Sequence, residues 1–267
     1  MCVNYITTSK QIFFDWFRTP LEFTEDWRDE VYCDFKAPFI VHGADGSREG
    51  RLGTYGFVPQ DRRPPKKLTA TELEKYDRAV EKANAQGKVR PKLPRIRMDT
   101  MNARAEEVGS KRNYKTYWFE QRLCLVPALG FFEYNYESGK PERWLIELAD
   151  KTPFAMPGLW RTWTKDDGTE FNTFTHFTLN ADDHPLLSRF HEPDVEKRGA
   201  AILRPEHWDD WLCSKNPEFA RALIELYPRE LLQAHPAPKP SKKPQEPLEE
   251  TTPTSADSVR EQQQSLF

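Results

Sequence analysis

Large apolar residues in this chain fall in short runs, and long helical stripes are few. Phe39–His42, Arg51–Val58, Arg122–Val126, Gly130–Tyr136, Arg143–Leu148 and Phe171–Leu179 have strand character, and Gly or Pro bounds several of them. Asp167-Gly168, inside Thr164–Thr169, predicts a hairpin turn. Such a pattern describes a strand-rich domain and argues against alternating βαβ units. Helical signals are local. Ser9 is placed to cap a helix beginning Gln11-Ile12-Phe13-Phe14, and Thr69–Gln86 reads as a polar helix. A short helix is expected over Pro205–Leu212. A clearer one is expected over Pro217–Gln233, with Phe219, Leu223, Leu226 and Leu231 on its apolar side.

The 267 residues suffice for one large domain or two small ones. A formal net charge of -3 favours neither nucleic acid nor membrane, so only the distribution of charge is informative. Cys2, Cys33, Cys124 and Cys213 are scattered and predict neither a disulfide framework nor a cysteine zinc site. No apolar stretch has membrane-spanning length, and the N-terminus lacks a basic region followed by an apolar run. These features predict a reducing, intracellular setting (cytoplasm, or nucleoid if bacterial) without membrane association.

Two segments depart from the average. Asp61–Arg97 holds twelve Lys/Arg against five Asp/Glu, with Arg62, Arg63, Lys66 and Lys67 at its start. It reads either as a solvated excursion or, given another reason to expect nucleic acid, as a phosphate-contacting surface. Pro236–Phe267 is rich in Pro, Ser, Thr, Gln and Glu and is expected to be a disordered tail whose sequence names no partner. The expected organisation is one domain over residues 1–235, followed by the tail.

Candidate chemistry begins at Met1-Cys2. Loss of the initiator Met would leave Cys2 with a free α-amine and a thiol, whose ordinary pKa values are about 7.8 and about 8.5. This 1,2-aminothiol suits an aldehyde: the amine forms an imine and the thiolate closes a thiazolidine. A second-position Cys also arises by chance. In Met101–Glu107, extended backbone would put Asn102 and Arg104 on one face, where they could orient an amine and grip a phosphate; a polar turn is the alternative. Glu133 interrupts the apolar run Phe131-Phe132-Glu133-Tyr134. Turned inward it would have a raised pKa suited to proton transfer, and turned outward it would be an ordinary surface group. Among six histidines, His184 and His191 lie on the segment after the last long strand, without metal-ligand spacing. An ordinary packed or surface role competes for each. No metal or organic cofactor is expected.

In order along the chain stand Cys2, Thr54-Tyr-Gly-Phe-Val-Pro59, Asn102-Ala-Arg-Ala-Glu106 and Arg122-Leu-Cys-Leu-Val-Pro-Ala-Leu-Gly-Phe-Phe-Glu133. Pro157-Gly-Leu-Trp160, Leu186-Leu-Ser-Arg-Phe-His191 and Arg198-Gly-Ala-Ala-Ile-Leu203 follow. Together they resemble the SOS-response-associated peptidase family, proteins that bind abasic sites in single-stranded DNA. The resemblance implies an α+β fold, a single domain of mixed, barrel-like β-sheets with flanking helices. It implies Cys2 as nucleophile, with Asn102, Glu133 and His191 as catalytic partners. It also implies Arg104, and Arg198 in the family's Arg-Met-Pro position, as DNA-binding residues. The chain departs from the family at Cys2-Val3-Asn4-Tyr5, where Cys-Gly-Arg-Phe is usual, so Asn4 replaces an Arg. The implied activity is a covalent crosslink to abasic single-stranded DNA, with strand-cleaving lyase activity as a side output, by a monomer. An N-terminal-cysteine amidase or peptidase and a non-catalytic binder of modified DNA are the competing readings.

Overall fold

Strand alternation and a few capped helices account for most of the architecture. The computed structural model describes residues 4–239 apart from positions 22 and 97. In chain order, β1 (Asn4–Ile6) leads into α1 (Lys10–Phe17), whose N-cap Ser9 accepts from the Ile12 N–H. Three strands follow: β2 (Glu30–Tyr32), β3 (Lys36–His42) and β4 (Arg48–Tyr55). α2 (Ala70–Ala85) is closed by a reciprocal capping box between Thr69 and Glu72. Then come β5 (Asn102–Arg104), α3 (Lys115–Phe119), β6 (Leu123–Ala128) and β7 (Gly130–Asn135). The long strands β9 (Phe154–Thr164) and β10 (Glu170–Asn180) come after β8 (Glu142–Leu148). The chain continues through β11 (Arg198–Ala200), α4 (Trp208–Cys213), α5 (Pro217–Ala222) and β12 (Leu232–Pro236).

Five strands close on themselves in the order β10-β4-β3-β6-β9, with β9 pairing back onto β10. The β10–β4 pairing is parallel and the others are antiparallel, so the barrel is mixed. β5 and β11 attach to the C-terminal part of β10. A second, antiparallel sheet runs β12-β8-β7-β1-β2.

Alternation along β6 shows how two cores arise. Cys124 and Val126 join Phe39, Tyr55, Trp160 and Phe174 in a core completed by Tyr5, Phe131 and Ile146 of the second sheet. Leu123 and Leu125 point the other way, onto Phe13 and Phe17 of α1, Trp118 of α3 and Trp211 of α4. Where β9 crosses β10, Gly158 is required, since a Cβ there would sit 2.1 Å from the Thr175 carbonyl oxygen. Among the described residues no helix is long and apolar enough to cross a membrane, and no group of His, Cys, Asp and Glu could hold a metal ion.

The α+β, barrel-containing architecture matches the expectation, and the expected strands are present within a few residues of their bounds. One element differs. The helix expected over Pro217–Gln233 ends at Ala222, and Leu232–Pro236 pairs with β8 as an edge strand. Pro228 lies between them and supplies no N–H for a continuing helix. Phe219 is 47% and Leu231 41% exposed, so their helical spacing never becomes a buried stripe.

Candidate active site

The inward or outward choice for Glu133 is decided by β7. Glu133 lies two residues after the core residue Phe131 on the same face, and it is only 3% exposed. Beyond β10, a 3-10 turn over Leu187–Arg189 leads to the buried Phe190 and then to His191. His191 adopts φ +73°, a conformation non-glycine residues seldom take. Two bonds fix it there: its backbone N–H donates to the Tyr134 carbonyl at 2.8 Å, and Nε2 lies 2.7 Å from the Arg198 carbonyl. The remaining ring nitrogen, Nδ1, faces Glu133 Oε2 at 3.4 Å.

Burial pushes the Glu133 carboxyl up to about 7 and pulls the His191 imidazole down to about 4. Near neutral pH His191 is therefore uncharged. A carbonyl only accepts, so the Nε2 contact assigns the ring proton to Nε2 and leaves an acceptor lone pair on Nδ1. A protonated Glu133 can donate to that lone pair, whereas an ionised one opposes acceptor to acceptor. The pair thus holds one mobile proton where a carboxyl of about 7 can release or regain it.

Around this pair is a cleft of about 380 Å³ that also touches Arg104, Glu192, Glu196 and Arg198. Arg198, 4% exposed, donates to both Glu106 oxygens at 3.0 and 2.9 Å, to Glu196 at 2.8 Å and to the Thr178 carbonyl at 2.7 Å. Burial alone would raise the Glu106 pKa, but the Arg198 hydrogen bonds override it and hold the carboxyl below its ordinary value. Arg104 is more open, with 41% of its side chain exposed, and contacts Glu196 at 2.7 Å. Asn102 is buried two positions earlier on β5, beside His176 of β10, and its carbonyl accepts from Tyr114 Oη at 3.4 Å.

The fold therefore brings Glu133, His191, Arg104 and Arg198 to one cleft, with Asn102 on the strand that carries Arg104. Cys2 lies outside the described residues. Asn4, where the family uses Arg, is 1% exposed and donates to Glu30, which also binds Arg143. The basic run after Asp61 is not in this cleft. Arg63 is 6% exposed and bolts the base of the excursion to the barrel through Asp34 at 2.7 Å and the Val58 carbonyl at 3.0 Å. Lys66 pairs with Glu72 at 2.7 Å, Lys67 is exposed, and Arg62 donates to the Thr164 carbonyl. Sequence reasoning missed the Glu106–Arg198–Glu196 clamp. Its only signal was the glutamate that closes Asn102-Ala-Arg-Ala-Glu106.

Comparison with known proteins gives concordant results. A crystal structure of a Bordetella bronchiseptica protein superposes with a TM-score of 0.69 at 23% identity, covering 89% of this chain and 100% of that one. A Bacteroides thetaiotaomicron protein gives 0.63 at 19% identity, covering 89% of this chain and 93% of its own. A phage-related protein from Bordetella bronchiseptica gives 0.55 at 15%, with 88% and 94% covered. At these identities the likeness is one of fold. No curated protein matches the chain. The family model described as SOS response associated peptidase (SRAP) matches residues 36–243. The chain belongs to that family and carries its DNA-damage-associated SRAP domain.

Proposed function

We propose that this protein captures the ring-opened aldehyde of abasic sites in single-stranded DNA as a thiazolidine on Cys2, after loss of Met1. The observation that carries the reading is the buried Glu133–His191 pair, one carboxyl of about 7 set 3.4 Å from a neutral imidazole. Aldehyde capture by an amine needs a group that both gives and takes protons near neutral pH, and this pair is such a group. Chain connectivity adds support. Asn4 pairs with Phe132, the neighbour of Glu133, and Cys2 is only two residues from Asn4, a reach of about 7 Å.

The Cys2 amine adds to C1′ of the open sugar and gives a carbinolamine. Glu133 in its acid form protonates the departing hydroxyl, water leaves, and a protonated imine forms. The Cys2 thiol gives its proton back to the Glu133 carboxylate as its sulfur adds to the imine carbon, and the new C–S bond closes the ring with the N–H retained. Since the Nε2 proton of His191 is held by the Arg198 carbonyl, any proton delivered to the sugar oxygen from this pair originates on Glu133. His191 fixes the position of that proton. Asn102 orients the amine and Arg104 contacts a phosphate once it leaves Glu196. Release at the imine stage, by β-elimination, would give strand cleavage as a minor output. Single-stranded substrate avoids the cost of opening a duplex to expose the sugar.

The test is incubation with single-stranded DNA carrying one abasic site, followed by denaturing electrophoresis. Wild-type protein should give a heat-stable shifted band and Cys2→Ala none. A band of equal yield from Cys2→Ala would remove the aminothiol from the mechanism. Reversible binding without any covalent band would favour a non-catalytic binder.

A further inference from the structure

The cleft is poorly equipped to attract a polyanion. Its two guanidiniums, Arg104 and Arg198, are met there by Glu192, Glu196 and the Glu133 carboxyl, and both arginines already bind Glu196. A strand that delivers its sugar here needs cationic contacts elsewhere.

β10 leads to one. Arg104 lies opposite Thr178, while Arg161 of β9 lies opposite Thr173, five positions earlier, roughly 17 Å away along the strand and, the separation being odd, on the other face of the sheet. Arg161 shares the outer, helix-covered face with Leu159. Its guanidinium is 3.5 Å from the Trp163 ring centre, 4.5 Å from that of Tyr117 and 5.9 Å from that of Phe57. Trp163 is itself anchored, its Nε1 donating to Thr173 Oγ1 at 3.0 Å, and Thr173 donates onward to the Phe57 carbonyl at 3.0 Å.

Three arginines with buried side chains have counter-charges: Arg63 binds Asp34, Arg143 binds Glu30, and Arg198 binds Glu106. Half-buried Arg161 differs: among the described residues no carboxylate forms an ion pair with it, a state it shares with Arg122 over the Trp160 ring, and its Nε, like those of Arg122, Arg143 and Arg198, is buried without a hydrogen-bond partner. Burial lowers its pKa, with Tyr117 acting weakly in the opposite sense. A guanidinium stacked on rings keeps its edge available for the bidentate contact that phosphate oxygens make. A second cation is adjacent, since Arg62 donates to the Thr164 carbonyl at 2.7 Å, one residue past Trp163. From Arg62 a groove of about 950 Å³ continues past Lys92, Arg95 and Lys165, with Asp61, Asp166 and Asp167 also on its walls.

We propose that Arg161, oriented by Trp163 and Tyr117 and seconded by Arg62, binds a backbone phosphate of the single strand whose abasic sugar enters the Glu133–His191 cleft. This assignment rests on the DNA-capture reading above. It makes the outer wall of the barrel an anchor, so that a strand long enough to reach it is held more tightly than one that fills the cleft alone.

The test measures binding by fluorescence anisotropy across a salt series, using single strands of about four and about sixteen nucleotides, the range one single-strand-binding fold covers. Arg161→Gln should weaken the long strand about tenfold at low salt and flatten its log–log salt slope by about 0.7. Arg161→Lys should keep the slope and recover only part of the affinity. Covalent capture of a saturating short abasic strand should be unchanged in both variants. Wild-type affinity and slope in a folded Arg161→Gln protein would overturn the proposal, as would equal losses for short and long strands. If Arg161→Gln does not fold, Arg62→Gln carries the same test, and an unchanged slope overturns the proposal. Capture by wild type alongside a silent Arg161→Gln leaves the abasic-site reading standing. Absence of both binding and capture in wild type removes the two together.

Discussion

Two regions along β10 treat buried charge in opposite ways. In the cleft the arginines are answered by carboxylates: Arg198 is clamped by Glu106 and Glu196, Arg104 leans on Glu196, and Glu133 faces a neutral imidazole at 3.4 Å. Around Arg161 the charge is left to aromatic faces. A site that moves a proton needs internally balanced charge, so that one group titrates near neutrality while its surroundings stay fixed. A site that grips a polyanion needs the reverse, a cation still short of an anion. On the proposed reading, chemistry and anchoring occupy separate parts of this barrel, and each should be removable without the other.

The largest expected effect is on the chemical side. Glu133→Gln should slow covalent capture by about 10²–10⁴-fold while leaving noncovalent strand binding intact. Stopped-time gel assays, run beside anisotropy, check this. Parallel loss of rate and affinity would make Glu133 a structural carboxyl and break the comparison.

The same residue should limit stability, with a defined sign. Its pKa is about 7 when folded and ordinarily near 4.5, so between these values the folded state holds a proton the unfolded chain has lost. The stability this group contributes is complete below about 4.5 and is lost as pH rises through about 7. The cost at alkaline pH is about 3 kcal/mol. Thermal melts of Glu133→Gln should therefore match wild type at acid pH and exceed it above neutrality. Identical pH profiles would mean that Glu133 does not bury a costly carboxylate.

On the anchoring side, Arg104→Ala should cost less than the roughly tenfold expected at Arg161, because Arg104 must first give up Glu196. Comparing the two salt slopes on one long strand sharpens the division of labour. A larger loss at Arg104 would return anchoring to the cleft. Smallest of all, Phe219→Ser should change stability by no more than about 0.5 kcal/mol, since the ring is 47% exposed. A substantial drop in melting temperature would show that Phe219 belongs to a packed helix face.

That last case shows where sequence reading ran short. Phe219, Leu223, Leu226 and Leu231 have helical spacing, yet spacing says nothing about what lies opposite, and Pro228 ends the pattern before Leu232–Pro236 joins β8. β9 escaped notice because Pro157 and Gly158 break its apolar run. Only the close approach of Thr175 reveals why the glycine is needed. Strands such as β7 and β10 were legible because their alternation is local. Glu133 was visible as an oddity in an apolar run, but its orientation needed the pairing of β7 with β1 and β8. His191 stood out only through the family resemblance, since its partner Glu133 is distant in sequence. The Arg161 cluster gave no signal, because α3, β9 and the residues after β4 meet there only in the fold.

The most direct test of capture by an N-terminal aminothiol is the intact mass of wild-type protein after reaction with abasic single-stranded DNA. The reacted species should lack Met1 and should have gained the mass of the strand less one water, as thiazolidine closure requires. A reacted species that retains Met1, or a protein that stays unmodified under conditions in which it binds the strand, would contradict such capture.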